Sequence, residues 1–248
     1  MTGRIAACWL AAFFLFGAFP GIDLWVSGLF YDPASSSFPL AENRPLEFLR
    51  NAIWNAAEIA TLVALIFGTF ALLATPAPAI PGRIWAFALL FIFLGPLVLV
   101  NGVLKTYWGR ARPADTDVFG GPHPFTPAWE WAGNCAANCS FVSGEAAGVT
   151  CLAILLGVAF WNRVRNRRAL LVALGALIVI GAGMRVMKGR HYLSDAVWAV
   201  LLMVTLAHWL AARLRLQEVM DRVTWSGLRA DGARIVAAAK NWGQTWRG

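Results

Sequence analysis

Long runs of apolar residues dominate the sequence, and short polar stretches separate them. A helix needs about 20 mostly apolar residues to cross a bilayer, because it rises about 1.5 Å per residue through a core about 30 Å thick. Six windows meet this requirement: 4–21, 53–75, 84–103, 142–162, 169–187 and 193–212. In lipid every backbone polar group must be bonded within the chain, so the pattern predicts an all-α integral membrane protein.

The first window admits a second interpretation, since a secretory signal peptide is also short, apolar and N-terminal. Its charged region before the apolar run consists of Arg4 alone, and no clear small-x-small cleavage pattern follows. We therefore expect a retained helix and six transmembrane helices in total.

Composition agrees with this prediction. Hydrophobic residues make up 59% of the chain and charged residues 14%, whereas an average soluble domain is roughly 25% charged. No repeat, linker or low-complexity segment divides the sequence, so we expect one membrane domain over residues 1–214. The basic remainder, 215–248, is expected in the cytoplasm, either as a helix on the anionic inner leaflet or as a frayed end.

The positions of Lys and Arg indicate the orientation. With the N-terminus inside, most basic residues fall on the inner side and most acidic residues on the outer side. Two short outer stretches, 105–112 and 185–190, hold six Lys and Arg residues against this trend. We expect these to serve something other than topology, and the net charge of +8 is therefore no indication of nucleic-acid binding.

The first of these stretches, KTYWGRARP, ends the third window. Lys105 and Arg112 are seven residues apart, which on a helix is two turns and one shared face. A planar guanidinium and a compact ammonium together suit a phosphate group. Basic residues at the end of a span also anchor it at the headgroups, so this stretch alone leaves both roles open.

A second stretch, SFVSGEA, opens the fourth window. Ser143 is a typical N-cap, and Gly144 allows another group to approach the backbone. The unpaired N–H groups and the positive dipole end of a helix start make a site for anions. Glu145 in the first turn also complements that dipole, which contributes about 0.3–1 kcal/mol, so its carboxylate has a structural explanation as well.

The third stretch, MRVMKGRHYLSDAVWAV, joins the fifth and sixth windows. His191 and Asp195 are four residues apart and therefore neighbours on a helical face. A carboxylate bonded to one imidazole nitrogen leaves the other as nucleophile or base. Arg185 precedes them, and the predicted orientation places all three stretches on the outer side, where we expect one shared pocket.

The combined spacing resembles that of the type 2 phosphatidic acid phosphatase family, which shares its helical core with the vanadium haloperoxidases. The matching residues are Lys105, Arg112, Pro113, Ser143, Gly144, Arg185, His191 and Asp195. The motifs span residues 105–195, and the predicted six-helix layout extends the resemblance to most of the chain. The resemblance implies a helical bundle that acts on a lipid phosphate without a metal or other cofactor.

It also implies a role for each residue. His191 would attack phosphorus and become a phosphohistidine, with Asp195 orienting it. The phosphoryl oxygens would be held by the family's cations and by the helix start: Lys105, Arg112, Arg185, Ser143 and Gly144. Phosphoryl transfer depends mainly on positioning and preorganised positive charge, which three fixed cations can supply.

Two positions depart from the family pattern. Met184 stands where the family usually has Ser, and Glu145 stands where it has the His that protonates the leaving oxygen. Glu145 replaces that acid if an apolar setting keeps its carboxyl protonated, or it only positions a neighbouring group. His123 in the outer loop is another candidate acid, and a leaving group that needs little protonation is a fourth explanation.

We therefore expect a lipid phosphatase of the bacterial inner membrane, with its site facing the periplasm. The Gly-Glu form of the second motif resembles a bacterial branch that includes lipid A phosphatases, so lipid A phosphate is the first expected substrate. Undecaprenyl pyrophosphate, phosphatidylglycerophosphate and transfer to another lipid are alternatives. A phospholipid or anion transporter would explain the cations but would not require His191 and Asp195 at this spacing.

Four cysteines complete the candidate chemistry. Cys8 and Cys151 lie in apolar windows and are typical of small core residues. Cys135 and Cys139 fall in an outer loop, where an oxidising compartment permits a disulfide, and two free thiols are the alternative. Their spacing, with no other ligand nearby, does not indicate a metal site.

Overall fold

The computed structural model describes residues 2–136 and 138–245, and these form helices without a β-sheet. The helices are α1 (Thr2–Ala18), α2 (Gly21–Gly28), α3 (Arg44–Leu73), α4 (Gly82–Tyr107), α5 (Gly144–Phe160), α6 (Arg167–Met187), α7 (Leu193–Arg213) and α8 (Trp225–Thr245). Short 3-10 turns lie at Pro39–Glu42, Pro113–Asp115, Asp117–Phe119, Leu216–Glu218 and Met220–Arg222. The predicted all-α fold is confirmed for the part of the chain described.

Fewer than six helices among the described residues have the length and composition of a membrane span. Four helices, α3, α4, α6 and α7, are long and apolar enough to cross a bilayer, and α1 with α2 makes a fifth if the pair, bent by 83°, counts as one span. Helix α5 is apolar but has only 17 residues, which is about 25 Å. The protein is thus a multi-pass membrane protein with four or five helices of spanning length, and the prediction of six spans is not confirmed.

Helix α3 begins at Arg44 rather than at the predicted position 53. Asn43 caps it, since its side-chain oxygen accepts a hydrogen bond from Leu46 N at 3.0 Å, and Pro45 suits the first turn. The early start extends the helix beyond its apolar run. It thereby brings the charged residues Glu47 and Arg50 into the bundle, where a loop was expected.

The middle of α4, Phe93–Leu104, is π-helical. Pro96 within it lacks an N–H, and its own carbonyl accepts a hydrogen bond from Asn101 Nδ2 at 2.7 Å. π-Helical turns are frequent at functional sites. Here the segment ends at Lys105, one of the predicted phosphate-binding residues.

Close helix packing fixes the positions of the motif-bearing helix ends. A Cβ added to Gly181 of α6 would lie 2.9 Å from Val149 Cγ2 of α5, so these helices pack without room for a side chain. On α7, Ala199 and Met203 are fully buried in the same core. Since packed cores resist even small displacements, α5, α6 and α7 form a rigid support for the groups at their motif-bearing ends.

The basic tail forms α8 rather than a frayed end, as far as residue 245. Its buried Asp231 accepts hydrogen bonds from Ala79 N at 2.8 Å and Ile80 N at 2.9 Å. Arg234 adds a bond to Pro76 O at 2.6 Å. These contacts attach the helix to the loop between α3 and α4, and residues 246–248 of the predicted tail lie outside the described residues.

Candidate active site

The three polar stretches singled out by their sequence meet at one end of the bundle. A Cβ on Gly144 would lie 3.6 Å from Lys105 Nζ, and Ser143 N donates a hydrogen bond to Asp195 O at 3.2 Å. Lys105 also interacts electrostatically with charges from all three stretches: Arg112, Arg185, Glu145 and Asp195. The structure therefore brings together the cations, the helix start and the third stretch.

Two of the predicted phosphate-binding cations keep hydrogen-bond donors available. Arg185 is mostly buried, and its Nε has no hydrogen-bond partner among the described residues. Arg112 donates from Nη2 to Asn138 O at 2.8 Å, which leaves its other N–H groups for a ligand. A buried donor without an acceptor costs free energy. Open guanidinium groups beside Lys105 thus favour an oxyanion as the missing partner.

The start of α5 offers backbone donors to the same ligand. Ser143 caps the helix, since its Oγ accepts a hydrogen bond from Ala146 N at 3.2 Å. The N–H groups of Gly144 and Glu145 have no acceptor within the helix and lie at its positive dipole end. A side chain at Gly144 would crowd Asn101, whose Oδ1 is 3.0 Å from the Cβ position. Only glycine leaves this approach open.

His191 is buried in a form suited to nucleophilic attack. Its Nδ1 lies 2.8 Å from Ser140 O, and because a carbonyl only accepts, Nδ1 carries the hydrogen and Nε2 keeps its lone pair. Burial lowers the pKa of His191, Lys105 and Arg185 lower it further, and Asp195 opposes them. The neutral imidazole is therefore the stable form at neutral pH.

Asp195 contacts His191 less directly than its spacing suggested. Its Oδ2 is 3.8 Å from His191 Nδ1. The carboxylate instead accepts hydrogen bonds from Arg110 Nη1 at 2.6 Å, Ser140 Oγ at 2.5 Å and Tyr192 N at 2.8 Å. Asp195 thus holds Ser140, whose carbonyl in turn fixes the imidazole, and its charge remains close enough to stabilise a positive ring.

Sequence reasoning missed two residues of this arrangement, Arg110 and Asp23. Arg110 is fully buried, donates to Asp23 Oδ2 at 2.9 Å and Ser194 Oγ at 2.9 Å, and lies 4.1 Å from the centre of the Tyr192 ring. Asp23 also accepts from Ser194 N at 2.8 Å and so caps α7. The pair Asp23–Arg110 joins residues far apart in sequence, and no local spacing indicates it.

Glu145 is engaged by arginines on two sides. Arg50 Nε lies 3.1 and 3.0 Å from its two oxygens, and Arg185 Nε lies 3.3 Å from Oε1. Arg50 also donates to Glu47 at 2.7 Å, and Glu47 accepts from Lys188 Nζ at 2.5 Å. Charges of alternating sign therefore connect α5, α3 and the loop before α7. Glu47 and Arg50 were missed because the sequence placed them in a loop.

The loop between α4 and α5 contains both cysteines and His123. Cys135 and Cys139 form a disulfide with a Cα–Cα distance of 5.7 Å, which decides between the two alternatives left by the sequence. His123 lines a cavity of this loop together with Asp115, whereas Glu145 lines a different cavity. The structure therefore gives no contact that would make His123 a substitute acid.

Comparisons with known proteins give a matching family model and several relatives. A family model described as the PAP2 superfamily matches residues 84–217. The lipid A 4'-phosphatase of Rhizobium leguminosarum is 35% identical over 202 residues, which cover 76% of this chain and 85% of that protein. The lipid A 4'-phosphatase of Francisella tularensis subsp. novicida is 30% identical over 200 residues, covering 78% and 86% of the two chains. No solved structure matches the chain significantly.

The buried ion pair yields a stability prediction. Asp23→Ala removes a carboxylate partner from the buried Arg110, where water cannot replace it. We therefore expect the free energy of unfolding to fall by about 3–5 kcal/mol. Arg83 and Glu218 form an exposed pair at 2.9 Å, and Glu218→Ala should change it by about 0–1 kcal/mol. Thermal unfolding of the purified protein in detergent compares the two. Equal losses would contradict the special role of the buried pair.

Proposed function

The chain belongs to the PAP2 superfamily and is a membrane lipid phosphatase, and we propose that it removes a phosphate from lipid A. The substrate is supported by relatives named lipid A 4'-phosphatase that are at least 30% identical over most of this chain. The observation that carries the mechanism is the buried His191, which keeps Nε2 free and lies close enough to Lys105 and Arg185 for their charges to lower its pKa. By analogy with the relatives, the 4'-phosphate is the proposed target.

In the first step His191 Nε2 attacks phosphorus. An N–P bond forms as the bond between phosphorus and the sugar oxygen breaks, and the departing oxygen takes up a proton. Nδ1 keeps its hydrogen on Ser140 O while the ring gains positive charge, which Asp195 stabilises at 3.8 Å. Water then attacks phosphorus, the N–P bond breaks, and phosphate leaves with the enzyme restored.

The phosphoryl oxygens lie among the cations throughout both steps. Arg185, Arg112 and Lys105 supply positive charge, and the first N–H groups of α5 supply neutral donors. Their positions are set before substrate binds, because the helices that carry them are packed together. Such preorganised charge stabilises the transition state without reorganisation.

We assign Glu145 a positioning role. Its contacts with Arg50 and Arg185 satisfy a carboxylate and orient both guanidinium groups. To act as an acid, the Glu145 carboxyl would first have to be protonated between the two arginines, and protonation would abolish both ion pairs. The leaving oxygen then takes its proton from water that enters the site from outside.

The same proposal includes the topology and location expected from the sequence. Helix α5 would complete a six-helix bundle although it is short, since its start lies among buried residues rather than at the membrane surface. The site would face the periplasm of the inner membrane. The distribution of Lys and Arg supports this orientation, and the Cys135–Cys139 disulfide suits an oxidising compartment.

The central test is phosphate release from lipid A by purified protein in detergent. We expect release with and without a chelator, and its loss in His191→Ala because no other group replaces the nucleophile. Trapping a phosphorylated protein that wild type forms and His191→Ala does not form would locate the intermediate. Full activity of His191→Ala would contradict the mechanism, and an inactive wild type would favour a binding protein or transporter.

The role of Glu145 is tested by Glu145→Gln, Glu145→Ala and Glu145→His. If the carboxylate anchors arginines, we expect Glu145→Gln and Glu145→Ala to lower kcat/KM about 10- to 100-fold through lost ion pairs. The losses should be the same for substrates with good and poor leaving groups. A loss that disappears for an aryl phosphate, whose leaving group needs no proton, would instead identify Glu145 as the acid.

The lowered pKa of His191 gives a pH prediction. His191 stays neutral at pH values below the ordinary imidazole pKa of about 6.5. Activity should therefore fall only when the pH drops through the lowered pKa of His191. Asp195 raises the pKa, and Asp195→Asn should move this limb of the kcat profile to still lower pH in the residual activity. A limb that does not move would belong to the substrate phosphate and contradict the assignment.

A further inference from the structure

A groove of about 370 Å³ runs between α3 and α5, beside the π-helical part of α4. On α3 its wall follows one helical face, because the lining residues are three or four positions apart. They include Trp54, Ala57, Glu58, Thr61 and Leu65. This face spans about 16 Å along the helix, so the groove is a long slot rather than a local pit.

The opposite wall connects the groove to the phosphate site. On α5 it consists of Gly144, Gly148, Cys151 and Leu155, again along one face. The small residues near the top leave room for a ligand next to the helix. Gly144 also belongs to the helix start that faces Lys105. A lipid whose phosphate lies at that helix start can therefore place a chain in the groove.

Glu58 is the acidic residue in this otherwise mostly apolar groove. It follows Arg50 by eight residues, which places it about 12 Å deeper along α3. A carboxyl group in the middle of a span costs about 2.5–3.5 kcal/mol. Such a position calls for a partner, and none of the ion pairs among the described residues involves Glu58.

The hydrogen bonds of the groove leave one oxygen of Glu58 open. Trp54 Nε1 donates to Glu58 Oε1 at 2.5 Å, and Oε2 accepts no hydrogen bond from the described residues. Two other polar groups are occupied within their own helices: Thr61 Oγ1 donates to Ala57 O at 2.9 Å, and Asn101 Nδ2 donates to a carbonyl of α4. Asn101 Oδ1 lies against Gly144 at the mouth of the groove, so a chain that enters deeper meets Glu58 Oε2 as its acceptor.

We propose that the groove holds an acyl chain of the substrate and that Glu58 accepts a hydrogen bond from a hydroxyl or amide N–H near the head of that chain. This inference rests on the proposed function, since the lipid phosphate at the groove's mouth is that substrate. It makes Glu58 a specificity-determining residue for lipid phosphates with amide-linked or hydroxylated chains. Plain ester-linked chains offer no donor, and a site built for a donor discriminates against ligands that lack one.

The test compares two glucosamine phosphates with chains of equal length. One carries N-linked 3-hydroxyacyl chains, and the other carries ester-linked chains without hydroxyls. We expect Glu58→Leu to lower kcat/KM about 10- to 100-fold for the first and to leave the second unchanged. Glu58→Gln should retain most of the rate, because its amide oxygen still accepts. Asn55→Leu, a polar-to-apolar change on another face of α3, is the matched control.

Equal losses on both lipids, or no loss on either, would overturn the inference. Equilibrium binding of the hydroxylated lipid to His191→Ala, with and without Glu58→Leu, separates this outcome from failure of the proposed function. We expect Glu58→Leu to weaken that binding by a similar factor. A wild type inactive on every lipid phosphate would contradict the proposed function, while unchanged binding in the double variant would contradict the role of Glu58.

Discussion

Arg110 holds two carboxylates, Asp23 and Asp195, in a site that water does not reach. Removing such charges from water costs several kcal/mol for each ion unless partners and hydrogen bonds satisfy all of them. Folding is therefore favourable only when α2, the segment after α4 and the start of α7 come together. That requirement places Asp195, and through Ser140 it fixes the ring of His191. The proposed nucleophile is thus oriented by a stability constraint.

A second set of charges supports the opposite side of the pocket. Glu145, Arg50, Glu47 and Lys188 alternate in sign from α5 through α3 to the loop before α7. Lys188 is buried and Glu47 is not, so these charges meet at a partly exposed carboxylate in the middle of the series. Because α3 begins early, it contributes two of the four groups. Glu145 joins this series to Arg185, one of the proposed phosphate-binding cations.

The sequence predicts most of what depends on local pattern. Apolar runs locate α4, α6 and α7 within a few residues, and motif spacing brings Lys105, Ser143 and His191 to one site. It does not predict what depends on distant partners. The pairing of Asp23 with Arg110 has no local signature, and the apolar run of α5 does not show that the helix has only 17 residues.

Arginine has opposite roles in this protein, and its partners decide between them. Arg110 uses its donors on protein oxygens, whereas Arg185 Nε lies 3.3 Å from Glu145 Oε1 without donating a hydrogen bond to it. Glu145 orients Arg185 but does not cancel the positive charge of the site. One carboxylate there faces three cations: Arg185, Arg112 and Lys105. With its carboxylate committed to arginines, the site is arranged to stabilise charged phosphoryl oxygens more than to donate a proton. The departure from the family's histidine is therefore best understood as a change in electrostatic support.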